Sequence, residues 1–74
     1  MTVYVLTLRE DGFEYTPRVF KKLDDALNAL EEKYNEFDEY ETPILDKMIA
    51  DTCFRVTTKN GTIFVGVVYG IEVE

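Results

Sequence analysis

Ten carboxylates fall between residues 24 and 51: Asp24, Asp25, Glu31, Glu32, Glu36, Asp38, Glu39, Glu41, Asp46 and Asp51. Only Lys33 and Lys47 oppose them, so this stretch has a net charge of −8. The rest of the chain holds five acids and six bases, a net of +1, and the two parts sum to the −7 of the whole. A segment of one sign attracts partners of the opposite sign, speeds their encounter and repels phosphates. The chemistry it offers first is recognition of a basic surface. The plain alternative is a solvated face that keeps a small protein soluble.

Other chemistries fit these residue types less well. Asp38, Glu39, Glu41 and Asp46 are close in sequence, and hard cations take oxygen ligands. No calcium loop with alternating acids and a central glycine is present, so no metal site is expected. A pair of glycosidase carboxylates needs a cleft that raises one pKa, and a domain of this length has little room for one. The chain has no histidine. That removes the commonest general base and metal ligand, and it leaves Cys53 without a partner for nucleophilic catalysis. No glycine loop for phosphate occurs, because Asn60-Gly61 reads as a turn. The only basic cluster, Arg9, Arg18, Lys21 and Lys22, sits in a negative field that opposes nucleic acid. The expectation is a protein that is not an enzyme, has no cofactor, and binds neither nucleic acid nor membrane directly.

The elements that must carry these residues can be read in outline. Seventy-four residues make one domain, residues 1–74, with a core limited by size. Thr2 to Leu8 reads as a strand, with Tyr4, Leu6 and Leu8 on one face and Val3, Val5 and Thr7 on the other. Asp11-Gly12 suits a tight turn, and Phe13 to Phe20 returns as a strand. Pro17 places that strand at a sheet edge. From Leu23 to about Tyr40 the period becomes helical, with Leu23, Ala26, Leu27, Leu30, Tyr34 and Phe37 in one apolar stripe. Thr42-Pro43 reads as the start of a second helix, with Ile44, Leu45, Met48 and Ile49 as its stripe. On this reading Thr42→Ala should cost about 1 kcal/mol through the lost cap.

Cys53 to Thr58 and Thr62 to Val68 flank Asn60-Gly61, the strongest hairpin signal in the chain. A two-residue loop would pair Thr58 with Ile63, Val56 with Val65 and Phe54 with Val67, facing the core. Phe64 and Val68 would then lie on the open face of the sheet. Cys53 reads as a small buried apolar residue. The whole is an α+β, two-layer domain of order β-β-α-α-β-β, with an antiparallel sheet of about four strands and two helices on one face. No apolar run approaches the ~20 residues of a membrane span, and no signal peptide is evident, so the cytoplasm is the expected location.

The first helix departs from the usual mixing of signs on exposed helices. Glu32 and Glu36 are four apart, and Glu36 and Glu39 three apart, so both pairs repel. Seven acids on Asp24 to Glu39 span ~24 Å, about one charge per 3.4 Å, close to the phosphate spacing of one DNA strand, ~3.4 Å. In length and charge the chain resembles the short acidic proteins of bacteriophages and mobile elements. Some of those imitate DNA and block host nucleic-acid enzymes, including restriction and CRISPR effectors. The resemblance implies an inhibitor that competes for a basic nucleic-acid-binding groove on a host protein. Glu31, Glu32, Glu36, Asp38, Glu39 and Glu41 are the expected contacts, with Tyr34 and Tyr40 as aromatic anchors. The alternative expectation is a homodimer or other structural homo-oligomer joined through the open sheet face, with the acids serving solubility.

Overall fold

A computed structural model describes all residues, Met1–Glu74. The strands are β1 (Thr2–Glu10), β2 (Phe13–Glu14), β3 (Arg18–Phe20), β4 (Ile44–Ile49), β5 (Cys53–Thr58) and β6 (Ile63–Glu72). One α helix, α1 (Leu23–Glu36), runs into a 3-10 turn, Phe37–Glu39. The class is α+β, and all strand pairs are antiparallel.

The sheet runs β2-β1-β6-β5-β4, and β3 also pairs with β1. Since β6 occupies one side of β1 along its whole length, β2 and β3 share the other. They are one edge strand interrupted over residues 15–17. Pro17 lies in the interruption, as expected of a residue with no amide to donate. The tight turn between β1 and β2 is Asp11-Gly12, with Asp11 at φ 51°. Aspartate tolerates this left-handed backbone better than most residues. Its carboxylate accepts a hydrogen bond from the Ile63 amide (3.0 Å), while its own amide donates to the Ile63 carbonyl (2.9 Å). The turn is thereby tied to the start of β6.

Helix α1 covers one face of the sheet. Leu6, Leu8, Ala26, Leu30, Phe54 and Val56 form the centre of the core, extended by Ala29, Phe37, Phe64 and Val68. The stripe read from the sequence is therefore the buried one, although Leu23 at its start remains exposed.

Three expectations are corrected. The sheet has six strands rather than four, and there is one α helix rather than two. Ile44–Ile49 is strand β4, not a helix. Only six residues separate Pro43 from Ala50, too few to offset the cost of nucleating a helix. Pro43 also biases Thr42 towards extended backbone. A bulge at Leu45, between Ile44 and Asp46 in the β5 pairing, adds one residue to the strand. Ile44 and Ile49 then lie on the helix-covered face and Met48 on the other, so the expected helical stripe is divided between the two faces of the strand. Thr42 makes no side-chain hydrogen bond and caps nothing.

The second correction concerns the last hairpin. Thr57 pairs with Ile63, Val56 with Phe64 and Phe54 with Gly66, one residue out of step with the expected register. The loop has three residues, Lys59-Asn60-Gly61, and only Gly61 has positive φ (93°). The Gly61 amide donates to the Thr58 carbonyl (3.0 Å), as in a type I turn closed by a left-handed glycine. A one-residue slip reverses every side chain. Phe64 and Val68 are therefore buried under the helix, each 4 % exposed, and not on the open face. Gly66 is needed for that packing: a Cβ there would lie 2.7 Å from Cζ of Phe54. The third correction is Cys53, which is exposed and free rather than buried.

Candidate protein-binding surface

The six carboxylates proposed from the sequence are all exposed, but they do not form a single row. At about 100° per residue, Asp24 and Glu31 share one side of α1. Asp25, Glu32 and Glu36 share the other, about 110° away. Asn28 and Asn35 occupy the ridge between them. The first row lies towards β5 and β4, beside Leu27 and Tyr34. The second lies towards the interrupted edge strand, on the same side as Lys33. Asp38 and Glu39 sit in the 3-10 turn and Glu41 in the segment that follows it.

An aromatic cluster fixes that turn to the sheet. Phe37 is buried (5 % exposed), with ring centroids 4.8 Å from Phe64, 5.4 Å from Tyr40 and 6.0 Å from Phe54. Tyr40 also meets Phe64 edge-on at 5.7 Å. Tilted and edge-on pairs at such distances are favoured by the ring quadrupole. Phe37 continues the buried stripe of the helix, and its contacts with Phe54 and Phe64 hold the 3-10 turn against the sheet. Tyr40 stays 46 % exposed. Tyr34 is half-buried, 5.7 Å from Phe54.

Two lysines neutralise part of the surface. Lys33 Nζ lies 3.1 Å from Glu36 Oε2. Lys47 Nζ is ion-paired with Asp38 and sits 4.3 Å above the Tyr34 ring. Lys47 projects from the helix-covered face of β4, so this pair holds the edge strand to the 3-10 turn. It also compensates an anion near a helix C-terminus, where the macrodipole disfavours one. Glu31, Glu32, Glu39 and Glu41 have no ion pair, and no arginine of the chain pairs with this segment.

Beside the second acidic row lies an open groove under the interrupted edge strand. One part, of about 130 Å³, is lined by Leu6, Leu8, Tyr15, Arg18 and Lys33 among others. The adjoining part, of about 140 Å³, adds Glu36, Phe37 and Tyr40. The Tyr15 hydroxyl donates to Glu10 Oε1 at 2.6 Å. That hydrogen bond first, and then burial, raises the Tyr15 phenol above its ordinary pKa. The pair spans the Asp11-Gly12 turn, five residues apart, and sequence reading missed it. It also missed Lys47, whose spacing from Asp38 becomes meaningful only once residues 44–49 are a strand.

No three His, Cys, Asp or Glu side chains converge as metal ligands would. No helix is long and apolar enough to cross a membrane. Compared with protein-family models, curated proteins and solved structures, the chain has no match.

Proposed function

We propose that this chain is a non-enzymatic binding module whose acidic helix and following turn occupy a basic groove on a partner protein, competing there with nucleic acid. One observation carries the reading: Glu31, Glu32, Glu39 and Glu41 are exposed and have no cation of the chain against them. Glu36 and Asp38 keep exposed carboxylates that can exchange an internal lysine for a cation of the partner. Tyr40 offers an exposed ring beside them, and Tyr34 steadies the turn from below. A helix that places Glu32 four residues before Glu36, with Lys33 compensating Glu36 but no cation against Glu32, is a place to look for function.

The partner is a nucleic-acid-binding host protein of the kind a phage inhibitor blocks, such as a restriction or CRISPR effector, and the encounter takes place in the cytoplasm. Complementary charge at such an interface mainly raises association rate and specificity.

The test is capture from host lysate at low and high ionic strength, with wild type and the double variant Glu31→Lys/Glu32→Lys as baits. Both glutamates are solvent-facing and unpaired, so the variant should keep its circular dichroism. The expected result is a basic protein held by wild type at low salt, released at high salt and not held by the variant. Capture that ignores salt, or equal capture by both baits, contradicts the reading.

A further inference from the structure

Strand β6 is apolar on both of its faces. Phe64 and Val68 point to the helix, while Ile63, Val65, Val67, Tyr69 and Ile71 alternate with them and point away. No charged residue occurs between Ile63 and Ile71. Such a run is usual for a strand covered on both sides, and β6 is the central strand of the sheet. Helix α1 covers only one side. On the other, Tyr69 is 45 % and Ile71 42 % exposed, and Met48 of β4 is 50 % exposed. Val5 is 6 % exposed although it faces the same way. It lies between its cross-strand neighbours Val19, 63 % exposed, and Tyr69, so these three side chains form one apolar patch around Val5.

We propose that this face is the interface of a homodimer, two copies packing sheet against sheet. The inference is independent of the acidic-surface reading. Three features favour a second copy as the occupant. The first is area. Four strand spacings of ~4.8 Å and the ten residues of β6 give up to about 19 Å by 34 Å, roughly 650 Å² in projection. That is the order of the ~800 Å² each partner buries in a stable complex.

The second is charge. A net of −7 ordinarily opposes self-association, but the acidic helix lies on the far side of each sheet. Three layers of roughly 10 Å put the two helices about 30 Å apart, beyond a Debye length of ~8 Å at physiological salt. The face itself carries Arg9 and Arg55, both paired across from Val65, with Glu14 opposite Arg9 and Asp46 close to Arg55 on the outer strands, opposite charges that a two-fold axis can exchange between copies. The third is that edge pairing is blunted. The β4 edge carries the Leu45 bulge, and the opposite edge is broken at Pro17. Both are features that discourage strand-to-strand addition, which leaves the face as the surface for contact.

The test is molar mass in solution across a range of concentrations, for wild type, Val67→Lys, Tyr69→Glu and Glu31→Lys/Glu32→Lys. Wild type should approach twice the chain mass as concentration rises. Val67→Lys and Tyr69→Glu should return it to the monomer, and the helix variant should leave it unchanged. A check that needs no substitution uses the exposed thiol of Cys53, which pairs across from Val67 on this face. Its labelling by a maleimide should slow as the dimer forms. A monomer at every concentration overturns the proposal and leaves the face to a different protein. A dimer that survives both face substitutions, or labelling independent of concentration, overturns it as well.

Discussion

At the scale of single residues, Gly66 is constrained by the ring packed against it. Its missing Cβ leaves room for the Phe54 ring, which is 2 % exposed. Gly66→Ala should destabilise by about 1–3 kcal/mol, the usual cost of overpacking a filled core. A loss under about 0.5 kcal/mol in urea unfolding would mean that the ring moves aside at little cost. Tyr15 offers a test by pH. Its folded-state pKa lies above the ordinary 10.0, with the Glu10 hydrogen bond as the main cause. A group raised in this way contributes stability that is fully present below the unfolded pKa and lost as pH rises through the folded one. The stability difference between wild type and Tyr15→Phe should hold steady below pH 10.0 and shrink above it. A difference that grows in alkali would show that the hydroxyl is not held as a donor.

At the scale of elements, α1 was readable because six apolar positions from Leu23 to Phe37 recur at spacings of three and four over fifteen residues, too long a run for a short strand to imitate. The same reading failed at β4. There the bulge at Leu45 changes the spacing, and tertiary pairing with β5 decides the outcome. The consequence is measurable: Thr42→Ala should change stability by less than about 0.5 kcal/mol, as for a surface site with no cap to lose. A loss near 1 kcal/mol would restore the helix start. The faces of β6 were illegible for a different reason. Since Phe64, Val65, Val67 and Val68 are all apolar, alternation gives no phase. Only the turn fixes it, and here Gly61 takes the left-handed position that closes a three-residue loop, in place of the two-residue loop that Asn-Gly favours. The candidate acids were legible as a charge imbalance. Their division into two rows follows from the helix geometry, but the lysines that pair with two of them required the fold.

At the scale of the molecule, the chain is polarised. Carboxylates line the outer side of the helix layer, aromatic rings lock the 3-10 turn to the sheet, and the reverse side of the sheet has an apolar centre along β6 with Arg9, Arg55 and Asp46 around it. Charge on one side and apolar surface on the other suit two separate contacts rather than one. The acidic side acts at a distance and depends on salt; the apolar side acts only at contact. Back-to-back pairing would present two acidic surfaces pointing away from each other. Linked sites of that kind gain from effective concentration when both can engage a partner.

Displacement of DNA tests the central claim most directly. A host extract held on DNA-cellulose at low ionic strength is eluted with the purified protein. Wild type should release a defined DNA-binding protein, and Glu31→Lys/Glu32→Lys, folded to the same extent, should release none. Equal release by both, or no release by either, would contradict the account.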